Sequence, residues 1–567
     1  MDKLLQRYPN LGEAFVAPTD GAVKRMMQSV AARNARAARQ PGETGDPLLG
    51  ACRQDALLPM PSCAVVQAEG AGSRVPVTIP RGTELLTKAQ PACRFRTVYD
   101  VAIAPVAITS VRFIPCVHVP LALGVPENAA CAIAITIEST DSAVALDEAL
   151  AKPLRVFVDA DDATRAAFHD ALFMRTLCTC VQAARQWCQL AASPFVPVGY
   201  DDGEAVLPTQ AGTASGLRLL AEYFAFPDKF AFLDVDLKAA LARSPAGTRR
   251  LLLHVMLPAL SGADLLESLS PAMLRLGCTP IVNLFKRAAE PLHLAAGRNT
   301  YPLRPFPVVE ADATLYSVDG VTVLHTLGGG NMAAELPRFD PSRGSQDDRF
   351  WLARRADTAA GAEHTISFVD GAQVPFDLSG GTVAVQLTCT NGDVPARLPI
   401  GRPDGDLAGD GAAARYPVRL LRRPSFSRLQ ADTDQGPREA ITTRPCEQRK
   451  LPHAALPALL DMLRVHAPSD NGAVQRQLAG IVGLEQRATK AWVRFPQGAA
   501  YMQGTQVRLT IDEAAFDRCG VFAFAQVMDR VFTLYAQAEG FAQLVVVTTE
   551  GEERVRFGPR TGVASPM

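Results

Sequence analysis

The sequence contains no C-x-x-C pair, no H-E-x-x-H, no G-x-S-x-G elbow and no P-loop. The first absence removes the spacing that zinc knuckles and thioredoxin-like redox pairs need, and the others remove the local signatures of zincins, α/β-hydrolases and phosphate-cradling NTPases. Of twelve cysteines only Cys178 and Cys180 stand close together. On a strand they would share a face but are too few to enclose a metal, so reduced, buried thiols are expected. The eight histidines are spread singly. A triad built from distant positions stays open at this level, because triads are defined by geometry; clustering of His169, Asp161 and Cys178 around a cavity would be its sign. A charge excess is missing too, with 57 Lys and Arg against 58 Asp and Glu, so no whole-chain field draws in nucleic acid or an anionic membrane. The greasiest region, residues 101–125, is broken by Pro105, Pro115, Pro120, Arg112 and His118 and reads as strands instead of a membrane span. Residues 1–9 lack the features of a secretory signal. The expected location is cytoplasmic, with membrane association only through partners.

Two apparent ligand motifs fail in context. Residues 328–333 fit G-x-G-x-x-A, yet Pro337 follows too soon for the helix that would hold a pyrophosphate. Residues 404–409 begin like a calcium loop, but Ala408 replaces a ligand and Arg415 stands where the bidentate Glu belongs. Neither cofactor nor metal is expected.

At 567 residues the chain is long enough for roughly three to four domains. Its most informative stretch, residues 216–237, reads as a short helix, a forced stop and a buried strand. Leu217, Leu220, Ala221 and Phe224 fall on one helical face, Pro227 pushes Phe226 into extended geometry, and residues 230–235 are nearly all apolar. Earlier, Thr19 or Asp20 can cap a helix with a narrow stripe of Val23, Met26, Met27 and Val30. That stripe suits either a surface helix of its own domain or a helix given to an intermolecular bundle. Residues 77–86 read as strand, Pro-x-Gly turn and strand, and Cys131, Ile133, Ile135 and Ile137 alternate along one sheet face. Asp161 and Asp162 can cap a helix running to about Phe173. Gly277-Cys-Thr-Pro280 reads as a turn into a strand, in which Asn283 should satisfy backbone groups. Residues 401–414, rich in Gly and Asp, read as a linker or mobile loop. Val521, Phe524, Ala525, Met528, Val531, Phe532 and Tyr535 form a wide apolar helix face, and residues 544–547 close a sheet.

Glu222-Tyr-Phe-Ala-Phe-Pro-Asp-Lys-Phe230 closely resembles a signature of the TssF family, also called VasA or ImpG, and Leu276-Gly-Cys-Thr-Pro-Ile-Val-Asn-Leu-Phe-Lys-Arg-Ala-Ala-Glu-Pro-Leu292 resembles its second specific motif. Further matches lie at residues 58–67, 198–202, 316–319, 351–355, 387–395 and 504–513. Gly392 stands where the family usually has Arg, and residues 415–450 diverge from its pattern. The resemblance implies a non-enzymatic baseplate subunit of a type VI secretion machine. Two such chains with one TssG would form the centre of a wedge, TssK and TssE would attach, and wedges would surround the VgrG spike where the Hcp tube and the sheath begin. It also favours the bundle reading of the Met26/Met27 helix. A wedge of a related phage-like injection particle, and a cytosolic enzyme with a non-motif site, are the alternatives.

The expected fold is α+β, multi-domain and β-rich. It comprises an N-terminal helical segment at 1–58, β-rich domains at 59–210 and 211–400, a linker at 401–437 and a C-terminal α/β region at 438–567. The signature residues Glu222, Tyr223, Phe224, Phe226, Pro227, Lys229, Phe230, Gly277, Cys278, Thr279, Pro280 and Asn283 are expected to be core and domain-junction elements, and Val23, Met26, Met27 and Val30 to face a partner.

Overall fold

The computed structural model describes residues 59–428 and 455–562, except for short stretches such as 71–74, 209–214, 307–312, 340–347 and 377–381. The chain divides into Met1–Gly50 and Ala51–Met567, and the described residues all lie in the second unit. The expected N-terminal helix with Val23, Met26, Met27 and Val30 falls outside them, as does Tyr535.

Strands dominate. A five-stranded antiparallel sheet runs in the order Gln186–Gln189, Cys178–Ala183, Arg250–Leu257, Cys131–Ser139, Val106–Ile114. The expected alternation holds on its inner face, where Ile133, Ile135 and Ile137 pack in one core with Phe168 and Leu172 of the Asp162–Met174 helix. That helix starts where its capping residue dictates: Asp161 accepts from the Ala163 and Thr164 amides at 3.1 and 3.0 Å. A second sheet places Phe232–Val235 between Phe195–Pro197 and Leu154–Val158, which explains why Phe232, Leu233 and Val235 are apolar and buried, Asp234 being the one polar residue of the strand.

A closed barrel is formed by Cys63–Ala68, Cys278–Val282, Arg94–Thr97, Glu84–Thr87, Leu407–Gly409 and Val418–Leu420, in that order. It gathers strands from positions more than 300 residues apart. Two local readings change as a result. In Gly277-Cys-Thr-Pro280 only Gly277 turns, with φ 71°; Cys278 already begins the barrel strand that pairs with Cys63–Ala68. Residues 401–414, read as a linker or mobile loop, contribute the Leu407–Gly409 strand. Their polar residues serve the backbone there, since Asp406 is buried and accepts from the amides of Gly401, Arg402 and Leu420. Asp404, the first position of the would-be calcium loop, pairs with Lys88 at 3.0 Å.

After Asn283 the chain leaves the barrel for another sheet, in which Phe285–Ala289 and Thr314–Leu327 flank Thr382–Thr390. Thr314–Leu327 and Gly330–Leu336 pair antiparallel, so Gly330 begins a strand where a dinucleotide site would need a helix. The C-terminal part is α/β as expected. Gly498–Ile511 and Phe541–Thr548 pair in parallel, the Val521–Thr533 helix crosses between them, and Ile481–Phe495 forms the outer strand.

Candidate functional site

The first signature begins on the Ser215–Ala225 helix. Its face bearing Leu220, Tyr223 and Phe224 packs into the core of the C-terminal sheet with Phe524, Met528 and Val531. Contact is close at Gly216, where a Cβ would stand 2.9 Å from the Arg530 carbonyl oxygen. Pro227 stops the helix as expected. Phe226 has left the helical region but is not fully extended as expected, at φ −143° and ψ 70°, because a short 3-10 turn, Pro227–Phe230, follows at once and precedes the Phe232–Val235 strand.

That reversal returns Lys229 to Glu222. The two form an ion pair in which both side chains are 0% exposed. Charged side chains are almost never this buried unless paired, and the second requirement, that the remaining lone pairs be used, is also met: the other Glu222 oxygen accepts from the Val206 and Leu207 amides at 3.0 and 2.9 Å. Burial pushes the Lys229 ammonium below the usual lysine range, opposed by attraction to Glu222.

Tyr99 joins the two signatures. Its hydroxyl donates to the Lys229 carbonyl at 3.1 Å, its amide donates to Thr279 Oγ1 at 3.0 Å, and its ring meets Phe232 edge-on at 5.2 Å. Burial raises its phenol well above the ordinary value, so it remains a donor. The Arg155 guanidinium covers the ring at 4.9 Å and pairs with Asp234 at 2.8 Å and Glu204 at 3.3 Å. Phe226 from one signature and Cys278, Val282 and Leu284 from the other share one apolar cluster with Tyr99 and Phe232. The two blocks therefore build a single junction between barrel, sheet and helix.

Asn283 lies at its far side, fully buried. Its amide donates to the Arg94 carbonyl at 2.6 Å and to Asn391 Oδ1 at 2.8 Å, while its carbonyl accepts from the Thr390 hydroxyl at 2.7 Å and the Asn391 amide at 2.6 Å. This is the backbone-satisfying role expected of it, at the point where the chain passes from barrel to sheet. Gly277 supplies the turn: its φ is positive, and a Cβ would stand 2.7 Å from the Ala68 carbonyl oxygen.

A cavity of about 740 Å³ lies beside this junction, lined among others by Arg165, His169, Asp170, Tyr223, Gln477 and Cys519. Of the three residues whose gathering would mark an enzyme, His169 lines it, and Asp161 and Cys178 do not appear in its lining. Burial and the nearby Arg165 push His169 down to about 3, so the imidazole is neutral. Asp170 is pushed up to about 6 by burial, but its oxygens accept from the Val521 and Phe522 amides at 3.0 and 2.8 Å and so cap the Val521–Thr533 helix. Cys519 is raised to about 11, leaving a thiol. The cavity thus offers a helix cap, a neutral imidazole and a protonated thiol, and among the described residues lining it no nucleophile is hydrogen-bonded to a base. Among the described residues, no three His, Cys, Asp or Glu side chains are grouped to hold a metal.

Tyr99, Glu204, Arg155, Asp170 and Asn391 were not singled out from the sequence. Each acts on a partner 60 or more residues away or on a backbone amide, and nothing local reveals such a partner.

The profile of the family described as type VI secretion system, TssF, matches residues 6–564. Type VI secretion system component TssF1 of Pseudomonas aeruginosa is 26% identical over 549 residues, covering 89% of this chain and 86% of that protein. A chain from the type VI secretion system TssK-TssF-TssG baseplate subcomplex, solved by cryo-electron microscopy, superposes with a TM-score of 0.69 at 21% identity over 95% of this chain and 97% of that one. A chain from the baseplate complex of the type VI secretion system gives 0.53 at 17% identity, with 100% and 97% covered. At these identities the two structures speak to the fold, and the profile match, spanning nearly the whole chain and both signatures, speaks to descent. The chain belongs to the type VI secretion system TssF family.

Proposed function

We propose that this chain is a structural subunit of a type VI secretion baseplate wedge, holding partners in place and performing no catalysis. The observation that carries this reading is the family match over residues 6–564, which includes both signature blocks. A solved chain on which it superposes comes from an assembly with TssK and TssG, and homologues of these two are the first partners. A second copy of this chain, TssE and the VgrG spike with its Hcp tube complete the proposed wedge, through which tube and sheath assembly starts. The protein works at the cytoplasmic side of the inner membrane and reaches it through partners. Among the described residues, no helix is long and apolar enough to cross a membrane.

The junction chemistry suits such a role. A wedge must hold before firing and rearrange on firing, which asks for large interfaces poised between two packings and carried on rigid bodies. The Glu222–Lys229 pair, Tyr99 and Asn283 make the body rigid by fixing barrel, sheets and C-terminal helix against each other. The signature residues serve that purpose, and the Val23, Met26, Met27, Val30 stripe is the partner-facing element.

In cells carrying a fluorescent sheath protein, loss of this chain should abolish sheath foci, and the wild-type chain should restore them. The pair His169→Gln/Cys519→Ser, which removes the imidazole and the thiol of the cavity, should restore them equally. Sheath assembly without the chain would overturn the reading.

A further inference from the structure

Ile481–Phe495 and Gly498–Ile511 form a hairpin whose cross-strand register runs the length of both strands, with one bulge beside Ile481. Only its inner half is supported by the sheet, because Gly498–Ile511 meets Phe541–Thr548 from Gly504 onward. The outer half is a two-stranded ribbon, an arrangement marginal on its own in water. Its two faces differ. Val493 is 4% exposed and turns into a crevice with Arg530, Leu534 and Arg560, which seats the ribbon on the body. On the other face Trp492 and Tyr501 are directly opposite each other, with ring centroids 5.5 Å apart, yet they are 65% and 60% exposed.

By strand alternation Lys490 and Arg494 leave the ribbon on the same side as Trp492 and both are exposed, Arg494 standing also at the rim of the crevice that Val493 enters. No Asp or Glu occurs between residues 486 and 503, and among the described residues neither cation pairs with a carboxylate. Among the described residues Ile481–Phe495 also ends its sheet, an edge whose outer N–H and C=O groups can take another strand. An exposed aromatic pair flanked by two cations along an open edge fits one class of partner well. An extended acidic polypeptide can use all three features: backbone groups on the edge, apolar side chains over the rings, carboxylates on the cations. An anionic bilayer would gain only about 1 kcal/mol per cation and could not use the edge. Nucleic-acid binders that rely on the phosphate backbone commonly make roughly 6–10 phosphate contacts, more than this face provides.

We propose that the outward face of this hairpin docks an extended acidic segment of another subunit of the secretion assembly, added as a strand along Ile481–Phe495. The assignment rests on the baseplate reading for the source of the partner. Its test is photo-cross-linking in cells with the assembled machine, with p-benzoylphenylalanine in place of Trp492 and the cross-linked peptide identified by mass spectrometry. The expected product joins residue 492 to a net-acidic stretch of another polypeptide of the machine. Its yield should fall tenfold or more in Lys490→Glu/Arg494→Glu, whose side chains are both exposed and whose folding is verified by an unchanged thermal midpoint. A cross-link to lipid, to nucleic acid, to a neutral or basic stretch, or to no other molecule would overturn the proposal. So would a yield unchanged by charge reversal. Co-purification with the TssG-type partner, measured in parallel, separates the two readings: its loss in the wild type would sink the baseplate role, whereas an intact complex without the cross-link would sink only the docking surface.

Discussion

Replacing Lys229 by Met would leave the Glu222 carboxylate buried without its counter-charge. Both side chains are 0% exposed, and removing one member of a buried pair typically costs about 3–5 kcal/mol. The Val206 and Leu207 amides would still donate to the carboxylate, which places the expected cost toward the lower end, about 3 kcal/mol. Those amides also report the event. Their hydrogen exchange should accelerate roughly a hundredfold, since about 1.4 kcal/mol corresponds to a factor of ten, and exchange mass spectrometry over residues 204–208 reads it directly. Glu222→Gln/Lys229→Met should recover most of the loss, because Gln keeps an acceptor for the two amides and removes the charge. Protection within threefold of wild type in Lys229→Met, or a double variant worse than the single, would refute the view of this pair as a charge-balanced lock.

Asn283→Leu should cost at least about 3 kcal/mol, since it strips partners from the Arg94 carbonyl, the Thr390 hydroxyl and the Asn391 amide at about 1–3 kcal/mol for each group left unsatisfied; an unchanged thermal midpoint would contradict this. Gly277→Ala should lower stability by about 1–3 kcal/mol through its positive φ and the close Ala68 carbonyl, read as a lower midpoint in thermal unfolding. Acidification from pH 6 to 4.5 should destabilise the fold. His169, pushed down to about 3, and His254 and His466, each pushed down to about 4 by burial, stay neutral when folded but titrate near 6.5 when unfolded, so the unfolded chain takes up about three more protons. Asp170, pushed up to about 6, works in the opposite direction and returns one. The net uptake of about two protons corresponds to about 2.7 kcal/mol lost per pH unit, and a urea midpoint that is flat or rises on acidification would refute it.

Local structure was legible where the cause was local. The Asp161 cap, the stop imposed by Pro227 after Phe226, the Ile133, Ile135, Ile137 alternation and the apolar face of the Val521–Thr533 helix all follow from neighbours within a few residues. Asn283 was legible as a backbone-satisfying group because a lone amide in an apolar run has few other uses, although Arg94 and Asn391 could not be named. The barrel was not legible. Its neighbours Cys63–Ala68, Cys278–Val282 and Val418–Leu420 are hundreds of residues apart, and no periodicity within a short strand states its partner. For the same reason residues 401–414 read as a loop: glycine and aspartate are turn formers in isolation, and only the barrel gives Asp406 three amides to bind. Lys229 and Glu222 were visible as signature letters, but their pairing required the helix to stop and turn back.

If this chain is held by a TssG-type partner, the mass of its complex will show it. Co-expression with the TssG-type protein from the same source, followed by size-exclusion chromatography with mass determination, should yield a stable particle containing two copies of this chain for one partner. Met26→Asp/Met27→Asp should dissolve it. A well-behaved monomer that ignores the TssG-type protein would contradict the account.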